Sequence, residues 1–119
     1  MNDCIFCDIV NKTSPATFLY EDEEVAVIET IEPISKGHVL VIPKHHYVNI
    51  LDIDNILLER ITAVTKNIAK GQISKHHAGG VNVLHAAGKA AQQSVFHFHI
   101  HIVPRYEDDN LDLWFRNNL

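Results

Sequence analysis

The 119-residue sequence predicts an α+β fold: an antiparallel five-stranded sheet with one long helix and short helical turns toward the chain ends. Three observations carry this expectation. Short runs rich in β-branched and aromatic residues recur between clusters of turn-forming residues. One stretch, Phe96 to Val103, sets histidine against large apolar residues at every second position. Helical spacing of apolar residues, by contrast, is sustained over one segment only. The length suits a single domain over residues 1–119, built around one hydrophobic core.

Taken in order, Cys7 to Val10 reads as a short helical turn, followed by a loop from Asn11 to Pro15. Thr17 to Tyr20 and Val25 to Ile31 read as strands joined by the acidic turn Glu21 to Glu24, which makes them a hairpin. A longer connection, Glu32 to Gly37, leads into a third strand, His38 to Ile42, stopped by Pro43 because proline lacks the N–H a ladder needs. Ile56, Leu57, Ile61, Val64 and Ile68 then keep helical spacing from a start near Asp52 or Asp54, either of which can cap the free N–H groups. Gly71 weakens this helix, which is expected to end before His76-His77-Ala78-Gly79-Gly80. Val81 to His85 is the fourth strand, and a small-residue loop, Ala86 to Gln92, precedes the histidine strand. The tail carries the apolar residues Leu111, Leu113, Trp114 and Phe115.

Composition narrows the function. An apolar content of 46% and a charged content of 21% exclude general disorder. The formal charge of −5, with scattered lysines, argues against a long nucleic acid as partner, so any phosphate recognition has to be local and built from histidine, backbone N–H or a metal. No apolar stretch approaches the roughly 20 residues of a membrane span, and no basic segment followed by an apolar run opens the chain. A cytoplasmic location with no membrane partner is the expectation.

In an extended chain the histidine run presents three imidazoles on one face and hydrocarbon on the other. Neutral imidazole donates, accepts, binds metal or attacks phosphorus near neutral pH. At about 3.3 Å rise per residue, histidines two apart lie about 7 Å apart and those four apart about 13 Å. The three cannot all share one ion, so at least one ring stays free as nucleophile or general acid/base. Both cysteines lie in Cys4-Ile5-Phe6-Cys7, too closely spaced to staple a fold. A redox dithiol and half of a metal site compete, and the lack of a preceding strand favours the metal.

His97-Phe98-His99-Ile100-His101-Ile102-Val103 is similar to the signature of the histidine-triad family of nucleotide hydrolases and transferases. Cys4-Ile5-Phe6-Cys7, Lys36 to Lys44 and Gln93-Ser94-Val95-Phe96 match in the same order, so the resemblance covers nearly the whole chain up to Arg105. It implies covalent nucleotidyl transfer: His99 attacks the α-phosphorus of a nucleotide and water hydrolyses the nucleotidyl-histidine. It further implies that His101 and His38 surround the phosphate, and that Gln93 and Ser94 contact the phosphate or the departing group. The implied structural zinc (Zn2+) has Cys4, Cys7, His46 and the first triad histidine, His97, as ligands, with His45 as a local competitor for His46.

The nucleoside pocket implied by the family maps onto Ile5, Phe6, Ile9, Ile28, Thr30, Ile31 and Leu40. Two departures stand out. Thr30 replaces the aspartate commonly bound to ribose, which transfers that role to Glu29 or Glu32. Gln92 replaces a glycine in the loop before the triad, where Lys89 offers a compensating charge. The closest resemblance is to the phosphoramidase-type branch, acting on purine nucleotides such as AMP or GMP conjugates. The alternatives are a dinucleoside polyphosphate hydrolase and a zinc-stabilised nucleotide-binding or partner-binding module. The family also implies a homodimer, in which Trp114 helps shape the leaving-group side.

Overall fold

The computed structural model describes residues 3–115. Five antiparallel strands form one sheet in the order β1-β2-β3-β5-β4: β1 Phe18–Glu21, β2 Val25–Glu29, β3 Val39–Pro43, β4 Gly80–Leu84 and β5 Ile100–Arg105. Alternation along each strand sorts the side chains onto two faces. On one, Val25, Val27, Val39, Val41, Ile100 and Ile102 pack with Leu57, Ile61 and Val64 of the long helix α2, Asn55–His76. On the other, Ala26, Ile28, Leu40 and Ile42 meet Phe6 and Ile9 of the short helix α1, Ile5–Val10. Each fully buried Val, Leu or Ile of these two layers contributes about 1.5–3 kcal/mol.

The second face carries the candidate site. Leu40 pairs across the ladder with His101, and cross-strand partners share a face, so His101 lies beside the Ile28 and Leu40 side chains. Helix α1 packs on this face through Phe6 and Ile9, and its N-terminus is capped by the Cys4 sulfur, which accepts the Cys7 N–H at 3.3 Å.

The long helix keeps its expected start and runs one residue beyond its expected end. Helix α2 is capped by Asp54, whose carboxylate accepts the Leu57 N–H at 3.1 Å. It passes through Gly71 and ends at His76, with His77 in the left-handed conformation returning its N–H to Ile73 O. One glycine costs a helix about 1 kcal/mol, which burial of Ala69 and Gln72 on either side outweighs. The histidine strand also starts later than its alternation suggests. The pairing of β5 begins at Ile100, because Phe98 N–H donates to Tyr47 O at 2.6 Å and His97 and His99 are bonded outside the ladder. Alternation nevertheless persists through this unpaired segment, with Phe98 in the core under α2 and His97 and His99 on the opposite face.

Candidate functional site

The sequence suggests a face of exposed imidazoles; the structure buries them. His97 is fully buried and His99 nearly so, with the Phe6 ring edge-on to both at centroid distances of 5.7 and 5.2 Å. Helix α1 thus roofs the histidines. Burial disfavours the imidazolium form and lowers the pKa of His38 and His99, and of His97 and His101 to about 4. Neighbouring His99, His38 and His85 add to the effect at His101.

With the rings neutral, backbone partners fix which nitrogen carries the proton. A carbonyl can only accept. His99 Nδ1 lies 2.8 Å from His97 O and therefore donates to it, which leaves Nε2 with a lone pair. His38 Nδ1 accepts the Ile34 N–H at 3.2 Å, so His38 Nε2 donates to His101 Nδ1 at 3.0 Å. His101 is then a donor through Nε2. The result is one ring with a lone pair and, with ring centroids 5.0 Å apart, a second ring with a proton.

Both rings line a cavity of about 650 Å³. Its wall includes Ile5, Phe6, Ile9, Ile28, Thr30, Ile31 and Leu40, together with Glu29, Glu32 and Ser94, so the apolar pocket residues and two triad histidines are brought together. Two carboxylates face this space, and none of the described residues that line it is a lysine or arginine. His38 stands behind His101 and is not among the residues that line the cavity, so its contact with that space runs through His101.

Gln93, expected at the phosphate, is turned inward. Its amide donates to Val48 O at 2.7 Å and Val95 O at 3.0 Å, while its oxygen accepts from Asn49 Nδ2 at 3.1 Å and Gly88 N at 2.8 Å. All its capacity holds the loop together. Gln92 adopts a left-handed conformation, φ 72°, at the end of a single 3-10 turn, Lys89–Ala91. Lys89 is exposed, and Trp114 is exposed and stacked on Phe115 at 5.0 Å.

At the far end of the row, four ligand atoms converge. The Cys4 sulfur lies 3.2 Å from His97 Nδ1, the Cys7 sulfur 3.3 Å from His46 Nδ1 and 3.5 Å from His97 Nδ1, and the two Nδ1 atoms are 3.1 Å apart. A tetrahedral ion with bonds of about 2.0–2.3 Å needs ligand atoms about 3.3–3.8 Å apart, close to this spacing. His97 Nε2 donates to Pro43 O at 2.8 Å, so its Nδ1 lone pair points at the sulfurs. The donor set fits a closed Cys2His2 metal site, with all ligand atoms within 4.8 Å of one another. His45 is not part of it; its ring packs on Tyr47. Burial raises the Cys4 thiol pKa, a cost that a bound cation would offset.

Pro43, Tyr47, Asn49 and His85 support the site without a sequence signal, because each acts on a residue 14 to 54 positions away or through a backbone group.

The comparisons with known proteins agree with this geometry. The HIT domain family profile matches residues 11–108. A HIT-like protein of Borreliella burgdorferi is 42% identical over 111 residues, which span 92% of this chain and 80% of that protein. The adenylylsulfatase HINT3 of Arabidopsis thaliana is 37% identical over 110 residues, spanning 92% of this chain and 56% of its own length. A Zn-bound histidine triad family protein from Mycobacterium smegmatis superposes with a TM-score of 0.88 at 40% identity, covering 98% of this chain and 84% of the other. Similarity over nearly the full length, joined to the paired histidines in the wall of an apolar cavity, shows that this chain belongs to the HIT domain family.

Proposed function

We propose that the chain is a cytoplasmic hydrolase of purine nucleoside monophosphate conjugates, cutting a P–N or related bond at the α-phosphate. The observation that carries the reading is the His99 tautomer: Nδ1–H is spent on His97 O, and the Nε2 lone pair belongs to a ring in the cavity wall. An imidazole held this way attacks without first losing a proton. In the first half-reaction the Nε2–P bond forms, the P–N bond breaks and the leaving nitrogen takes a proton from solvent, which the second half-reaction returns. The attached imidazole is cationic, and His97 O stabilises its Nδ1–H. In the second, water adds to phosphorus, the Nε2–P bond breaks and one proton of the water is released. His101 donates through Nε2 to a phosphoryl oxygen, with His38 holding it in that tautomer.

The charge of the cavity favours this substrate class over dinucleoside polyphosphates. Glu29 and Glu32 repel a second phosphate, and no lysine or arginine among the described lining residues offsets them. A neutral or cationic amine meets no such penalty. The adenylylsulfatase among the relatives supports an adenylyl group as the transferred part. Zinc at Cys4, Cys7, His46 and His97 would tie helix α1 to the sheet, and the Zn-bound relative supports that metal.

Adenosine 5′-phosphoramidate and a diadenosine polyphosphate, supplied at equal concentration, test the reading. AMP released mainly from the phosphoramidate, with a phosphate-linked adduct on His99, is expected. Faster release from the polyphosphate moves the chain to the other hydrolase class, and AMP binding without turnover or adduct makes it a binding module. A homodimer belongs to the same proposal, since β4 is an edge strand and its own Val83 is exposed. Light scattering at micromolar concentration should give twice the 13.5 kDa chain mass, and a mass of one chain rejects it.

A further inference from the structure

The peptide that carries the nucleophile lies outside the sheet. The β4–β5 ladder ends with Leu84 opposite His101, and β3 pairs no further than Val41 with Ile100. His99 O thus has no strand partner, and a side chain takes that place. His85, the first residue beyond β4, donates from Nδ1 to His99 O at 2.9 Å. Its other nitrogen accepts the Ile50 N–H at 3.0 Å. The ring stacks on Phe98 with centroids 4.6 Å apart and planes 29° apart.

We propose that His85 is a positioning residue for His99, acting by clamping the carbonyl of the nucleophile's own residue to the loop that precedes α2. The assignment rests on His99 being the nucleophile. A neutral imidazole is suited to the task, because it donates at one end and accepts at the other across a rigid ring. The loop it reaches is the one that holds the rest of the histidine segment. Tyr47 O accepts from Phe98 N, and Asn49 bonds Gln93. Without His85, the His97 end of the segment stays tied to Pro43 O and Tyr47 O, while the His99 peptide loses the bond that sets its rotation. Loss of alignment at the reacting nitrogen is felt mainly in kcat, since misplacement of about 1 Å costs on the order of a hundredfold.

Two variants separate alignment from packing. His85→Phe keeps a ring over Phe98 and removes both hydrogen bonds; His85→Gln keeps a donor and an acceptor. With the phosphoramidate as substrate, His85→Phe should lose about tenfold to a hundredfold in kcat with KM nearly unchanged. His85→Gln should recover most of the loss. Nitrogen-detected NMR of the labelled imidazoles supplies a readout independent of turnover: the His99 Nδ1 and Nε2 resonances should move in His85→Phe and return toward the native positions in His85→Gln. Native kcat and unchanged His99 resonances in a folded His85→Phe variant overturn the proposal. So does a His85→Gln variant as impaired as His85→Phe. If His85→Phe does not fold, His85→Gln and His85→Asn decide the matter, because native kcat in the shorter, misaligned asparagine rules out a clamp. An active His99→Ala variant would instead sink the nucleophile assignment, a separate failure.

Discussion

One row of histidines serves two ends of the molecule in opposite ways. At the Cys4 and Cys7 end, His97 gives its Nε2 proton to Pro43 O, and its Nδ1 lone pair joins three other ligand atoms within 4.8 Å. At the cavity end, His99 gives its Nδ1 proton to His97 O and keeps the lone pair of its other nitrogen on a ring in the cavity wall. The rings are chemically identical, equally subject to burial, and two residues apart in sequence. Which carbonyl each one meets decides whether its lone pair converges on other lone pairs or faces a substrate. A site of this kind is specified by backbone position as much as by residue type.

The sharpest way to break the comparison is to remove one ring. His99→Ala should reduce turnover on the order of 10⁴-fold or more, as loss of a covalent nucleophile does, while metal content and fold stay native. Wild-type turnover in this variant, or an adduct on His97, would erase the division between the two ends. Removing the sulfurs tests the other side. Native protein should carry about one zinc ion per chain by elemental analysis, and a Cys4→Ser, Cys7→Ser variant should lose it. The variant should also be destabilised by several kcal/mol in denaturant melts, on the order of a structural metal's contribution. A folded, reduced native sample with negligible metal would remove the site, and unchanged zinc in the double variant would relocate it.

Burial distinguishes the cavity end by pH as well. The pKa of His101 falls from 6.5 to about 4 in the folded chain. A lowered folded value means that the unfolded chain binds more protons between the two, so the contribution to stability is full above about 6.5 and is lost as pH falls toward 4. Urea midpoints measured across that window should decline with acid, and less steeply in His101→Asn. The His99 pKa is lowered by the same cause, so kcat/KM should pass through pH 6.5 with no inflection there. An inflection at the free-imidazole value would mean that the ring is solvated.

The smallest expected effect lies in the loop between the two. Gln92 adopts φ 72°, where a side chain is strained and glycine is not. Gln92→Gly should change stability by about +0.5–1 kcal/mol, the relief of strain less the extra entropy of the unfolded chain. A clear loss of stability would show that the Gln92 side chain holds the loop.

The alternation of the histidine run was legible because burial enforces it: Phe98 sits under α2 and His97 and His99 face the other way even where no ladder exists. Pairing was not legible, since the partners of that segment are Tyr47 O and Pro43 O, contributed by the end of β3 and the segment after it. The four ligand residues could be proposed from spacing and family resemblance. The inward turn of Gln93 could not, because its partners Val48, Asn49 and Gly88 become neighbours only through the fold. The end of α2 was legible to within one residue, because Gly71 has no neighbour within 4 Å of where a Cβ would stand and only its weak local propensity is set against the packing of its flanks.

On the proposed reading, the cavity would meet a phosphate with neutral rings. Ordinary phosphate clamps use lysine or arginine, and their affinity falls steeply as counterions compete. Here the donors are uncharged imidazoles in a pocket with two carboxylates. Binding of a nucleotide should therefore vary little with ionic strength. A dianionic product would meet no lysine or arginine among the described lining residues and would be repelled by Glu29 and Glu32, so its release should be fast relative to that from a basic clamp.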